Sequence, residues 1–351
     1  MLNVRFLSKG DAAYPSSRYR AFHFRSALAE QGVALNIEPL FGSAWMAAGR
    51  PGGAPLRRLG LGLFYGAKRL AGIFRRQPSD LIVVEQELVP LLPAGLERLL
   101  LGSAQPILIE LDDAHHLVPY RAAKLAAWFN SAEAVIVGNE VLASAVRRAG
   151  GRPIVVPTCI DLDHYPANGL ARQDDLAESE PLRLVWVGLP GNVAQLLSVR
   201  DALEPLLESG AVQLTVVTHP AADLGGLKAR LVSWSEDAER RVMRQSHVGL
   251  MPLPDTEWAA GKCALKLLQY QAAGLACVAS PVGVNTALSG RGGVVLAADV
   301  PSWRQALLNL RDVEARRSLG ARGRSLVEQA YSVQAWAPKL ALIYRGLARS
   351  A

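Results

Sequence analysis

The sequence predicts an α/β protein with two Rossmann-like domains, and three observations carry that expectation. The chain has 351 residues, half of them hydrophobic, which is enough for two domains that each bury a core. Short β-branched runs alternate with longer amphipathic segments, and this rhythm occurs twice. The runs are apolar throughout, as in parallel strands covered by helices on both faces.

In the first half the strand "LNVRFLS" is followed by the helical "SRYRAFHFRSALAEQG". The runs "DLIVVEQ", "QPILIELDD" and "AEAVIVGN" come next, then a helical "EVLASAVRRAG" and the strand "PIVVPTCID". After the polar stretch "PANGLARQDDLAESEP" the rhythm restarts with "LRLVWVG", "VQLTVVTH", "SHVGLMPLP", "LACVASPVG" and "GGVVLA". The expected domains are therefore residues 1–168 and 181–330. The segment "YSVQAWAPKLALIYRGLARS", residues 331–350, reads as a closing helix with a break near Pro338, because an interior proline removes a hydrogen bond.

No apolar run approaches the roughly 20 residues needed to span a bilayer, and the N-terminal "MLNVRFLSKG" is charged too early for a signal peptide. A cytoplasmic protein is expected. Cys159, Cys263 and Cys277 are odd in number and lack CxxC spacing, which argues against a disulfide framework or a zinc site. The net charge is +7, and residues 1–76 hold twelve Lys/Arg against three Asp/Glu, a local balance of +9. Such an excess attracts nucleic acid, anionic lipid or a phosphorylated substrate, and a solvated basic face explains it equally well. Nucleic acid is the least favoured partner, since no interleaved aromatics or recognisable module accompany the charge.

Ligands of open α/β sheets bind beyond the carboxyl ends of the strands. The unusual loops follow strands in this way: "SKGDAAYPSSRYR", "GLPGN", "DTEWAAGKCALK" and "PVGVN". Presented toward each other by two domains, they would line an interdomain cleft.

The segment "HVGLMPLPDTEWAAGKCALKLLQYQAAGLACVASPVGVN" resembles the donor-binding region of the large retaining family four of GT-B glycosyltransferases, which transfer a sugar from a nucleotide diphosphate. Weaker matches are "YPSSRYR", "LIELDDAHHL", "AEAVIVGNEVLA" followed by "VVPTCIDLDHYP", and "LRLVWVGLPGN". The resemblance implies a GT-B fold of two Rossmann-like parallel-sheet domains, acceptor on the first and donor on the second, with residues 331–351 crossing back to the first. It also implies catalysis without a metal or other cofactor, with a UDP- or GDP-linked sugar as co-substrate. The expected acceptor is a glycan or lipid-linked acceptor of the cell envelope, as in lipopolysaccharide synthesis. The commoner family pattern has two glutamates where this chain has Gly261 and Gln269. Two other readings therefore stay open, a sugar-nucleotide epimerase of the same fold and a catalytically silent partner protein.

Lys262 and Lys266 are four residues apart, so they would share one face at the start of a helix. Lysines there suit a bound anion, and a leaving diphosphate must be offset by cations and backbone N–H groups. The alternative is that both snorkel into water. Gly188 and Gly191 permit a tight turn whose backbone approaches a phosphate. Gly283 forms a similar turn, with Asn285 expected to touch donor or acceptor, Asp255 and Glu257 are the nearest acids able to accept from sugar hydroxyls, and Trp234 either stacks on the base or packs in the core. In "LDDAHHL", Asp112 or His115 is assigned to the transferred sugar, while Asp113 contacts it or caps a helix. No metal is expected at these residues or at His116. Ser16 and Ser17 read as helix caps, and Arg18 and Arg20 as ligands for an acceptor phosphate.

Leu56, Leu59, Leu63, Leu70, Ile73 and Phe74 fall on one arc of a helical wheel, and Arg57, Arg58, Lys68, Arg69, Arg75 and Arg76 on another. This basic amphipathic helix either lies on an anionic membrane surface, making the protein peripheral on the inner face of the cytoplasmic membrane, or packs its apolar arc onto its own domain.

Overall fold

A computed structural model describes residues 1–48, 55–74, 79–171, 173–174, 176–177 and 180–349. Arg50, Arg75 and Arg76 of the basic segment lie outside the described residues. The chain forms two compact units. The first comprises Met1–Cys159, Gly261–Cys263 and Val333–Ala351, and the second Ile160–Ala260 and Ala264–Ser332. The division thus falls at Cys159, ahead of the polar stretch, which is fastened to the second unit. Arg316, fully buried, donates to the Gln173 side chain and to the Asp174 carbonyl.

Among the described residues, the first unit has one six-stranded parallel sheet. Its strands are β1 (Leu2–Gly10), β2 (Val33–Phe41), β3 (Leu81–Glu85), β4 (Ile107–Leu111), β5 (Ala134–Val137) and β6 (Pro153–Val155), in the order β2-β1-β3-β4-β5-β6. One face packs Val4, Phe6, Leu81, Val83 and Leu108 against Phe24, Leu28 and the helix Val333–Arg349. That helix continues through Pro338, contrary to the expected break. Val333, Ala337, Leu340, Ala341 and Tyr344 are buried along it, and burial at about 25 cal/mol per Å² of apolar surface outweighs one lost backbone bond.

The second unit repeats the scheme among its described residues, with β7 (Leu182–Val187), β8 (Val212–Thr218), β9 (Arg230–Ser233), β10 (Val248–Met251), β11 (Ala276–Ala279) and β12 (Val294–Leu296). Its order is β12-β11-β10-β7-β8-β9, again all parallel. Trp186, Leu203, Leu214, Leu250 and Trp303 are buried in its core.

Strands β2 and β9 were not expected from the sequence. Both are sheet edges, covered less than central strands, so neither shows the continuous apolar run used as the signal. Pro39 is tolerated within β2 for the same reason, since an edge strand has one side without a ladder to supply.

Candidate active site

Strand order reverses between β1 and β3 in the first sheet and between β7 and β10 in the second. Such switch points open a crevice at the strands' carboxyl ends. The candidate residues follow strands of the two sheets, and each unit supplies a different kind of chemistry.

In the first unit, Glu85 ends β3 and its carboxylate accepts from the backbone N–H of Lys9 at 2.8 Å and from the Ser16 and Ser17 hydroxyls. These serines are therefore not caps; the helix Pro15–Arg20 starts after Tyr14 with Pro15 in its first turn. Two residues on, Glu87 pairs with Lys9 at 2.8 Å, Lys124 at 3.0 Å and Arg121 at 3.1 Å. Burial raises the Glu87 pKa, but these cations outweigh it and hold the carboxyl at about 2. Lys124 also meets Glu97, whose carboxylate accepts from the Trp128 indole N–H at 2.7 Å.

Arg20 was expected to bind an acceptor phosphate, and the structure corrects this. Its guanidinium is buried, paired with Glu110 at 2.6 Å, and donates to the Val156 and Pro157 carbonyls, each at 2.9 Å. With those partners it ties β4 to the chain after β6. Arg18 is buried as well, over the Tyr19 ring and near the Ala13 carbonyl.

Asp112 and Asp113 follow β4. Burial, with Glu85 and Asp113 adding to it, raises Asp112 to about 8, so its carboxyl holds a proton at neutral pH. His115 lies beside Arg121, with Nδ1 3.2 Å from the guanidinium, and burial with that positive charge lowers its pKa to about 3. A neutral imidazole and a neutral carboxyl thus stand at the end of β4. Both are poised to hydrogen-bond and neither is a strong base.

Lys262 belongs to this same unit. Asn139 caps the helix Glu140–Arg148 through its side-chain oxygen, while its amide N–H₂ donates to the Gly261 carbonyl at 2.8 Å. The Cys263 thiol donates to the Asp112 carbonyl at 3.0 Å. Gly138 makes room for it, since a Cβ there would lie 2.2 Å from the Cys263 sulfur. Gly261 and Cys263 therefore pin the chain on both sides of Lys262. Its ammonium is 3.7 Å from Asp113, an ion pair too long for a hydrogen bond.

The shared helical face expected for Lys262 and Lys266 is not formed. The helix is Leu265–Ala272, beginning after Ala264 in a left-handed conformation, so Lys262 is not part of it. Lys266 is, and in the second unit its ammonium stands over the Trp186 ring, 4.5 Å from the centroid. The same ring folds beneath Gly188, where a Cβ would come within 2.4 Å of it. Two residues selected separately from the sequence are thus linked through the buried Trp186, which was not selected. The signal was available, because Trp186 and Gly188 are two apart and strand residues at that spacing share a face.

Gly191 has open space where a Cβ would be, whereas Gly283 is under constraint, with φ 56° and a Cβ position 2.4 Å from the Ala260 carbonyl oxygen. Asn285 is buried and donates to the Ser280 carbonyl at 3.1 Å, which fastens this turn. Asp255 is exposed in the loop after β10, and Glu257 is exposed at the start of the short helix Glu257–Ala260. Trp234 is 40% exposed, so it is not a core residue, and its indole N–H donates to Glu239 at 2.6 Å. Glu239 was not selected from the sequence, where it is hidden in the acidic first turn of the helix Glu236–Gln245. This buried carboxylate also accepts from Gln269, at one of the positions where the commoner family pattern has glutamate.

Among the described residues no group of three or more His, Cys, Asp or Glu side chains is arranged to hold a metal ion, and no helix is long and apolar enough to cross a membrane. Cys159, Cys263 and Cys277 are free and buried.

Residues 181–312 match the model of the family Glycosyl transferases group 1. No curated protein matches the sequence. The whole chain is similar in fold to sucrose-phosphate synthase from Thermosynechococcus elongatus, with a TM-score of 0.72 at 16% identity over 100% of both chains. Anabaena HepE, solved in complex with UDP-glucose, gives 0.69 at 12% over 99% of this chain and 100% of that one. A UDP-forming α,α-trehalose-phosphate synthase from Burkholderia xenovorans gives 0.67 at 14%, again over 99% and 100%. Residues 181–312 are therefore similar to a glycosyl transferases group 1 domain, in a chain that has the two-domain GT-B fold of these solved structures.

Proposed function

We propose that the protein is a retaining glycosyltransferase that moves a sugar from a UDP- or GDP-linked donor to a lipid-linked or envelope glycan acceptor at the cytoplasmic face of the membrane, without a metal. The observation that carries this reading is the placement of Lys266 over Trp186 at the β7 switch point of the group 1 domain, beside the open turn at Gly188 and Gly191. A diphosphate there meets an ammonium, which stabilises the charge that develops as the glycosidic bond breaks. The acceptor hydroxyl attacks the anomeric carbon on the face from which the diphosphate departs. Its proton passes to an oxygen of the leaving phosphate, so no protein base is required.

Under this reading Lys266 is the principal cation on the leaving group, and Lys262, not hydrogen-bonded to Asp113, is the second. Protonated Asp112 and neutral His115 hydrogen-bond the transferred sugar and exclude a competing base. Asp255 or Glu257 orients sugar hydroxyls, and the exposed face of Trp234 receives the base.

The test is calorimetric titration with UDP and with GDP in EDTA, on the wild type and on Lys266→Ala and Lys262→Ala. One nucleotide is expected to bind despite chelation, with the larger loss in Lys266→Ala. Absence of binding to folded wild type overturns the reading, and binding restored only by a divalent ion overturns its metal-free part.

A further inference from the structure

The helix Pro55–Phe74 is amphipathic, yet it does not bury its apolar side. Leu56 is 83% exposed, Leu59 62%, Leu63 69%, Phe64 60% and Phe74 73%. At 100° per residue these side chains fall on one broad face, about 27 Å long from Leu56 to Phe74. The inward face is made instead of small and polar groups. Arg69 is buried and donates to the Ser8 carbonyl at 2.7 Å, Arg5 donates to the Gly72 carbonyl at 3.1 Å, and Ile73 closes that end. Tyr65 meets the edge of Phe41, and Arg58 covers the Trp45 ring.

An apolar stripe of this size is a docking surface rather than scattered exposure, and its surroundings choose the partner. The 20 residues contain no acid, while exposed Arg57 and Lys68 border the stripe on one side. A face that is apolar at its centre and cationic at its margin is complementary to a bilayer with anionic headgroups. A second copy of the chain would have to bring these cations against its own.

We propose that this helix seats the first unit on an anionic bilayer, with Leu56, Leu59, Leu63, Phe64 and Phe74 at the level of the acyl chains and Arg57 and Lys68 at the phosphates. Tyr65 packs beside the carboxyl end of β2 and Arg5 of β1 reaches Gly72, so the helix runs antiparallel to the strands. Its N-terminal half therefore lies at the end of the first sheet that holds Glu85 and Asp112. The proposal rests on the lipid-linked acceptor reading for its purpose, since a lipid carrier would be met at that end.

The experiment is co-sedimentation of the full chain with vesicles of phosphatidylcholine alone or mixed with phosphatidylglycerol, alongside UDP and GDP calorimetry on the same preparations. Wild type is expected on the mixed vesicles and not on the neutral ones. Leu59→Gln/Leu63→Gln, at exposed positions that leave the fold intact, should lose more than tenfold in vesicle affinity. Arg57→Gln/Lys68→Gln should lose about fivefold per charge. Nucleotide binding should be unchanged in both. Wild type that ignores mixed vesicles, or a leucine variant that binds them equally well, overturns the docking surface. Self-association of wild type that the leucine variant abolishes assigns the face to a second copy and also overturns it. Vesicle binding without nucleotide binding instead removes the glycosyltransferase reading and leaves the surface standing.

Discussion

The carboxyl ends of the two sheets are built on opposite principles. In the first unit that end is filled with charge that already has partners: Glu85 hydrogen-bonded by two serines and a backbone N–H, Glu87 paired with three cations, Arg20 with Glu110. In the second it consists of glycine turns, one lysine over an indole and two exposed acids. The first arrangement is costly to disturb, because removing one member strands another in a poorly solvated place. The second carries few ion pairs, and under the proposed reading it is the end that receives the anionic diphosphate. The densely paired charge of the first unit, Glu87 with its three cations and Arg20 with Glu110, therefore acts as scaffold.

The largest effect that follows from the contrast is on stability in the first unit. Glu87→Ala should destabilise by about 3–5 kcal/mol, because Lys9, Lys124 and Arg121 lose their shared partner. Urea unfolding measures it, and a loss below about 1 kcal/mol would dissolve the distinction between the two ends. The Glu87 pKa is depressed in the folded state, so its contribution is complete above pH 4.5 and disappears as pH falls toward 2. Acid unfolding followed by circular dichroism should show that window, absent in Glu87→Gln.

Lys266→Ala sharpens the contrast from the other side. A hydrogen bond to a charged group contributes about 1.5–3 kcal/mol, so nucleotide affinity should fall roughly 10- to 100-fold while the urea midpoint hardly moves. Gly283→Ala should destabilise by about 1–3 kcal/mol, since φ 56° with ψ −128° excludes a side chain and the Ala260 carbonyl occupies its place. Thermal melting checks it.

A smaller signal comes from Asp112. Its folded pKa of about 8 lies above the ordinary 3.8, so the folded state holds the proton more tightly and stability declines as pH rises from 3.8 to about 8, levelling off above it. Melting temperatures between pH 6 and 9 should fall more steeply for wild type than for Asp112→Asn. The smallest effect is at Ala264, whose left-handed φ of 54° suits glycine. Ala264→Gly should be neutral or stabilising by no more than about 1 kcal/mol, the relieved strain being offset by glycine's entropy.

The difference between the two ends also explains what could be read from the sequence. Central strands announce themselves by continuous apolar runs, and the donor-side candidates by glycine and lysine in one short segment. Glu87, Glu97, Lys9 and Lys124 meet only in the folded chain, because they come from β1, the loop and helix after β3, and the helix Pro119–Ser131. No spacing rule connects them. Helical periodicity likewise finds the two arcs of Pro55–Phe74 but not which one faces in; Arg69 reaching the Ser8 carbonyl decides that. Arg20 looked like a ligand because arginines near a strand end often are, and its commitment to Glu110 depends on a residue ninety positions away.

The helix Val333–Arg349 has a consequence for how the protein is made. Val333, Ala337, Leu340, Ala341 and Tyr344 are core residues of a unit whose sheet is otherwise translated first. The second unit, ending at Ser332, has all its parts before that helix appears. At about 5–20 residues per second, the nascent first sheet must wait many seconds with one hydrophobic face only partly covered, by Phe24 and Leu28. Of the two units, the one translated earlier is thus the later to close, and the interval is when a chaperone would be needed.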